Sequence, residues 1–392
     1  MTVHLLNRRN LIMSGLGATV AGCVNTGRIG QLPNFSSRAY GFDALKPLDV
    51  SAGNLIKITV CTRPFRPAGP RLEAETVGKK TIIHNYGHGG SGWSLAWGYA
   101  EAVRDLVAVR RPKSVTVLGA GAMGLTTAIA IAETSTNVTI YARDLPLESR
   151  SARATGVWSP SSRVGFKDKV DDAYPALWET LARRSYARHL SYVGRTGNPV
   201  EFQPRFYLRS ETPEPPLTEP PTNGDKFIHL RRSLRGMEPG GLSLNNAPFP
   251  VKTTVTGQLE MTFNITEYTR QLTDEFLSLG GRIERGTVSS MDDIIRLPSE
   301  VVVNCTGYDA KMLVGDGSLV PVRGQIAWMA PQTDRRYSIS HRNVAVISRS
   351  DGLLIQETGG NSYYGFGDDT ETPNRDEFLA ARAKVAPMFN WG

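Results

Sequence analysis

Cysteine is scarce in this chain, with three among 392 residues: Cys23, Cys61 and Cys305. That number excludes a disulfide framework, and no paired-cysteine spacing is present to hold zinc. Only a Cys61–Cys305 bridge is open to the mature protein, and Cys305 sits in the apolar run EVVVNCTG, where a buried thiol is the simpler reading. Long runs of one charge are missing too. The 45 basic and 37 acidic residues leave a net charge of +8, but they are spread along the chain without aromatic interleaving, which argues against a nucleic-acid partner. The sequence has no internal repeat.

What is present is enough apolar material, 40% of the chain, to bury a large core, and the length suggests two intimately connected domains. Residues 1–23 read as an export signal. Arg8 and Arg9 form a twin-arginine pair in NRRNLIM, an apolar stretch runs from Leu11 to Ala21, and VAGC ends at Cys23 in a lipobox-like sequence. The stretch is too short to span a bilayer. The expected address is the periplasm, with Cys23 as a lipid anchor; an ordinary amphipathic amino terminus is the alternative. Residues 24–53, rich in Gly, Asn, Ser and Pro, read as a tether or surface wrap.

Periodicity then organises the rest. NLIKITVCTRPFRP reads as a strand entering a proline-punctuated loop, and KKTIIHNYG as a short strand. The residues after Gly92 carry Trp93, Ala96, Trp97, Ala100, Val103 and Val107 at helical spacing. SVTVLG, MGLTTAIAIAE and NVTIYARD form a strand, helix and strand of a parallel sheet. YPALWETLARRSYARHL and NITEYTRQLTDEFLSLGG read as helices, the second with Asn264 as N-cap, Glu267 three positions later and a Gly280-Gly281 stop. The proline-rich Arg209 to Asp225 is a loop, and Val322 to Tyr364 alternates strand-like runs, the last NSYYGFG, with turns, as an antiparallel sheet would.

Three motifs carry chemistry. GAGAMG places Gly119, Gly121 and Gly124 between an apolar strand and a helix: one glycine for the tight turn, one for close approach of a pyrophosphate and one for helix–strand packing. Ala122 and Met123 open the helix whose N-terminus favours negative charge. Asp144 ends the next strand, where a ribose hydroxyl is read, and Arg143 beside it suits either the 2'-phosphate of NADP or the adenosine side of FAD. NYGHGGSG offers backbone amides at the start of another helix, fit for an anion or the pyrimidine edge of a flavin; His88 within it reads as a hydrogen-bonded structural histidine. TRPFRP holds Arg63 and Arg66 in a stiffened loop, suited to clamp a carboxylate or to make a surface ion pair.

The segments VTVLGAGAMGL, IYARDLP, ATGVWSP, VVVNCTG, PVRGQI, TRPFRP and HNYGHGGSGWSLAWG together resemble the D-amino-acid oxidase family of flavoproteins. They touch most of the chain from about Leu55 onward, in a rearranged order. The stretches resembling TRPFRP and HNYGHGG close the polypeptide in that family, whereas here they precede the dinucleotide strand. The sequence thus resembles a circular permutation, with EAVRDLVAVRRPK joining the family's end to its beginning and new termini near Pro387 and Leu55.

The resemblance implies an α/β fold with a Rossmann-like FAD-binding domain and a substrate domain built on a mixed, largely antiparallel sheet. It divides the chain into FAD-binding segments at 54–165 and 251–324 and substrate segments at 166–250 and 325–392. It implies FAD bound by Gly119, Gly121, Ala122, Met123, Gly124, Arg143 and Asp144, with Val288 near the adenine. Ala154, Thr155, Gly156 and Trp158 would lie beside the isoalloxazine, and Gly89, Ser91, Gly92, Trp93 and Ser94 would face its pyrimidine. Arg63 would clamp the substrate carboxylate and the Gly90 carbonyl would receive the amine. The family's carboxylate-supporting tyrosine falls at Ala345, for which Tyr363 and Tyr364 are candidate replacements, and Ser91 stands where a bulkier aromatic often occurs.

The implied reaction is oxidative deamination of a D-amino acid, with oxygen as second substrate and hydrogen peroxide, keto acid and ammonia as products. A same-fold amine dehydrogenase using another electron acceptor, or a flavin-binding protein with a decayed catalytic pocket, are the alternatives. Side-chain preference and oligomeric state are not legible at this level.

Overall fold

A computed structural model describes residues 45–244 and 247–391. The expectations placed on residues 1–44, including the export signal, Cys23 and most of the tether, lie outside the described residues.

Among the described residues two sheets dominate. The first is centred on parallel strands β3 (Lys80–Tyr86), β10 (Val301–Asn304), β4 (Ser114–Leu118) and β5 (Asn137–Ala142). Antiparallel β2 (Arg71–Val77) closes one edge, and parallel β9 (Arg282–Arg285) the other. The central strands are short apolar runs because both faces are covered. Val301 and Val303 of β10 point into a core shared with helices α1 (Gly92–Ala108), α2 (Ala122–Ala132), α3 (Tyr174–Leu190) and α4 (Ile265–Ser278). Val302, between them, points to the opposite face, where it packs with Ile294 of α5 (Met291–Arg296) and Leu313 of α6 (Ala310–Leu313).

The second sheet has the order β1 (Leu55–Phe65), β11 (Val320–Met329), β14 (Gly352–Glu357), β13 (Val344–Arg349), β12 (Ser338–His341), β6 (Val200–Leu208), β8 (Val255–Phe263) and β7 (Leu242–Leu244). Its pairs are antiparallel except β12 with β6. Helix α7 (Arg375–Val385) packs on it through Phe378, Ala381 and Val385. The α/β class and the mixed second sheet expected from sequence are what the chain forms.

Three expectations need correction. Strand β1, placed with the cofactor domain, pairs along its length with β11 and belongs to the second sheet, as does β8. The segment 45–53, read as a tether or surface wrap, is a wrap laid against that sheet, as the second alternative has it. Leu48 and Val50 are buried, Tyr337 Oη donates to the Lys46 carbonyl (2.8 Å), and Arg382 Nε donates to the Val50 carbonyl (2.6 Å). Asn264 does not cap α4 with its side chain; its amide bonds Glu201 and Asn198, and its Oδ1 accepts from the Ser350 amide at 3.0 Å. It ties the helix start to the second sheet instead. The run NSYYGFG is likewise a series of turns rather than a strand.

Candidate functional site

The turn between β4 and α2 is built for close approach of a ligand. Gly119 has φ +97°, and a Cβ there would stand 2.7 Å from the Cys305 carbonyl oxygen. At Gly121 a Cβ would meet Ser151 Oγ at 2.7 Å, and at Gly124 it would collide with the Gly119 carbonyl, so the third glycine serves helix–strand packing as expected. These residues form one wall of a cavity of about 480 Å³. Ala122, Met123, Arg143, Asp144, Ala154, Thr155, Gly156 and Val288 also line it, as do Gly89, Gly90, Gly92, Trp93 and Ser94 from the other glycine-rich segment.

Arg143 pairs with Asp144 (2.8 Å) and with Asp309 (3.1 Å), and its guanidinium holds the Asp144 carboxyl below the usual carboxylate range. Asp144 is therefore an ionised acceptor, as a ribose-reading residue must be. Glycines that a side chain would fill, the N-terminus of α2 and an acceptor at the end of β5 fit a dinucleotide.

The segment at the start of α1 works differently from the amide nest expected. The Gly89 amide donates to the Pro64 carbonyl (2.7 Å), the Gly90 amide to the Ser162 carbonyl (2.9 Å) and the Ser91 amide to the His88 carbonyl (3.0 Å). The unused donors are those of the first helical turn, from Gly92 onward. Ser91 is buried and does not line that cavity; its hydroxyl donates to the Ser159 carbonyl and accepts from the Ser162 amide at 2.8 Å, locking the helix start to the loop at 159–162. His88 is buried edge-on to Tyr99, and burial pulls its pKa down to about 3, so it is a neutral structural residue.

The bulk missing at Gly89 and Gly90 belongs to the facing turn. A Cβ at Gly89, where φ is +54°, would collide with the Arg163 carbonyl, and one at Gly90 with Ser162 Oγ. No donor among the described residues reaches the Gly90 carbonyl oxygen.

A second cavity, of about 270 Å³, opens onto the first through shared lining residues Arg63, Gly90, Thr155 and Gly324. Arg63 extends from β1, and its Nη1 donates to the Arg323 carbonyl at 3.0 Å. Burial lowers its pKa, and no carboxylate pairs with it among the described residues. Gly324, directly across the β1–β11 ladder from Cys61, leaves the volume that the guanidinium fills. Trp158, Ala345 and Tyr364 also line this cavity. Burial and the Glu377 carboxylate push the Tyr364 hydroxyl well up, keeping it protonated.

Tyr363 does not join the site. It is buried against Phe227 and Phe366, and its hydroxyl accepts from the Lys226 amide at 2.8 Å. Arg66, offered beside Arg63, pairs with Asp316 at 3.2 Å instead. Cys61 and Cys305 are both free, and burial pushes the Cys305 thiol up to about 12.

Sequence reasoning missed Ser151 and Arg150 on the larger cavity. Ser151 Oγ accepts from the Ala122 amide (3.1 Å) and its carbonyl from Trp93 Nε1 (2.9 Å), so one residue ties both glycine-rich segments together. Arg150 bridges Asp309 (3.0 Å) and Glu371 (2.7 Å). The only signal was the density of Ser and Arg in LESRSARATG.

A Rossmann-type sheet with its glycine turn, opening onto a compact cavity whose arginine has no carboxylate partner among the described residues, is the architecture of a dinucleotide-binding protein with a small-molecule site. The family model described as FAD dependent oxidoreductase, DAO, matches residues 114–390, and the chain belongs to that family. FAD is accordingly its cofactor. The chain is 26% identical over 285 residues to a D-amino-acid oxidase of Dictyostelium discoideum, covering 70% of this chain and 74% of that protein. A D-amino-acid oxidase of Rubrobacter xylanophilus is 28% identical over 273 residues, covering 69% and 76%. Among solved structures, glycine oxidase from Geobacillus kaustophilus is similar with a TM-score of 0.48 at 14% identity, over 71% of this chain and 78% of that one.

Proposed function

We propose that the protein deaminates a D-amino acid oxidatively: amino acid, oxygen and water become keto acid, ammonia and hydrogen peroxide. The observation that carries the proposal is the pairing, in one small cavity, of an arginine without a carboxylate partner and a Gly90 carbonyl without a donor. These are complementary to the two ends of an amino carboxylate.

Bound in the larger cavity, FAD supplies the two-electron acceptor. The chain supplies orientation. Arg63 holds the carboxylate, and the Gly90 carbonyl accepts a hydrogen bond from the amine, which fixes the α-carbon between them. Ser162 and Arg163 hold the Gly89–Gly90 turn rigid from behind. His88 is kept neutral and Tyr364 protonated, so both stay in fixed states around neutral pH.

The test is to purify the protein, measure bound flavin, mix it anaerobically with D- and L-amino acids and follow flavin bleaching, then admit oxygen and assay peroxide. Bleaching by D-amino acids with stoichiometric peroxide is expected. Absence of bleaching with every amino acid would refute the activity, and bleaching without reoxidation by oxygen would replace the oxidase with a dehydrogenase.

The rearranged order is part of the same reading. The family match begins at residue 114, yet Arg63 and Gly90 precede it. Leu45 and Trp391 pack against the same hydrophobic cluster, which is consistent with ends that a short linker could join. A chain relinked there and opened between Val109 and Lys113 should retain flavin; loss of flavin binding would speak against permutation. The export reading of residues 1–23 is carried forward with it, and replacing Arg8 and Arg9 by lysine should keep the protein in the cytoplasm.

A further inference from the structure

Arg163 occupies an unusual position for a charged side chain. It lies on the turn that packs behind Gly89, with φ +55°, a conformation that a non-glycine residue adopts only when its surroundings hold it. Its Nε donates to the Ser362 carbonyl at 2.7 Å, and its Nη1 lies 3.5 Å from Ser162 Oγ. No carboxylate pairs with it among the described residues. Burial, and then the charge of Arg63, pull its pKa down to about 9, which leaves it cationic at neutral pH.

The other charges on the smaller cavity are already matched. Arg205 pairs with Glu260 at 2.7 Å, Arg231 with Glu238 at 2.7 Å, and Glu357 with Lys384 at 2.7 Å. The phenols of Tyr207 and Tyr364 are pushed up by burial and stay neutral. Two uncompensated cations remain, Arg63 and Arg163. An amino carboxylate neutralises only the first. A cation held in a desolvated wall without a counter-ion is costly, and the cost is removed when a ligand brings the missing charge.

The approach to the cavity is of the same sign. Arg163, Tyr207 and Thr358 are shared with an outer cavity of about 690 Å³ whose remaining charged side chains are Arg209 and Arg342, beside a His341 held neutral by burial. Arg342 is paired with Glu214, whereas Arg209 has no ion pair among the described residues.

We infer that Arg163 binds a second carboxylate, and that the substrate is an acidic D-amino acid of the aspartate or glutamate class. The inference rests on the oxidase reading for its stereochemistry and reaction, but the charge preference can be measured apart from turnover. The FAD-loaded protein is titrated by calorimetry and by flavin absorbance with succinate and with propionate, which match D-aspartate and D-alanine without their amines.

Succinate should bind about 30-fold more tightly or better, Arg163→Met should collapse that ratio to near unity, and Arg163→Lys should restore most of it. Flavin content of each variant checks that the fold is intact. Equal affinities in the unaltered protein, or a preference that survives Arg163→Met, would overturn the inference whatever the variants' stability. If succinate is preferred but no D-amino acid bleaches the flavin, the oxidase reading falls and the dicarboxylate site stands. Bleaching by D-alanine with no preference for succinate removes the dicarboxylate site and leaves the oxidase in place.

Discussion

Replacing Gly324 by alanine should disable substrate binding without removing any charge. A Cβ there would stand 2.5 Å from Arg63 Nη1 and closer still to Nη2 and Cζ, where 3.4 Å is an ordinary contact. The backbone of β11 accepts alanine at this position, so the strain falls on the guanidinium, which must retreat by about 1 Å and give up its bond to the Arg323 carbonyl. A misplacement of about 1 Å in a positioning group costs on the order of 100-fold in rate. Deleting the clamp altogether, as in Arg63→Ala, removes a buried charged contact worth about 2–5 kcal/mol, or roughly 30-fold to several thousandfold. Gly324→Ala should therefore lower kcat/KM by about two orders of magnitude, close to the deletion, while the ratio of flavin to protein should stay normal because the glycine turn proposed to hold FAD belongs to the other sheet. Anaerobic stopped-flow bleaching across a substrate range, beside an absorbance spectrum, reads both quantities. A Gly324→Ala enzyme with unaltered kcat/KM would refute the placement of Arg63.

Gly119→Ala, forced into a left-handed backbone against the Cys305 carbonyl, should yield a protein that purifies largely without flavin; normal yellow colour would exclude that turn as the cofactor cradle. Tyr363→Phe leaves the Lys226 amide without its acceptor and should cost about 1 kcal/mol in urea unfolding, with KM changed little; a large rise in KM would return Tyr363 to the substrate site. Acid should weaken the fold through His88 and His189, both pulled to about 3 by burial. Unfolding raises each toward the ordinary value of about 6.5, so between those limits the unfolded chain binds more protons and stability falls as pH falls, by up to about 1.4 kcal/mol per pH unit for each group. Urea melts at pH 7, 6 and 5 should show the decline, and a flat profile would mean that these rings are solvated.

The parts legible in the sequence are those whose signal is local. The β4–α2–β5 unit announces itself by an apolar strand, three glycines and a helix within one short stretch, and the structure adds only the atoms that forbid a side chain at Gly119 and Gly124. What was misread depended on distant partners. Nothing within LIKITVCTRPF says that it pairs with Val320–Met329 rather than with the neighbouring β3. Asn264 is a good capping residue by type, but Glu201 and Ser350 compete for its amide. The amides of Gly89 and Gly90 look free until the Pro64 and Ser162 carbonyls arrive from other loops. Adjacent tyrosines cannot be told apart by type, and the structure sends Tyr363 into an aromatic cluster and Tyr364 onto the cavity. Arg163 left no trace in the sequence because its meaning lies in the absence of a partner.

The chain from β1 to the start of α1 crosses from one sheet to the other and carries both Arg63 and Gly90 with it. The side chains that face the rest of the smaller cavity, among them Arg163, Ala345 and Tyr364, arrive on separate segments far along the polypeptide. On the proposed reading, the grip on features common to every amino acid is thus inherited as one contiguous cassette, while the discriminating wall is assembled from scattered positions. Side chains of that wall can then be exchanged one position at a time to retune which substrate is chosen, provided that the backbone carbonyls of Ser162 and Arg323 that brace the cassette stay in place.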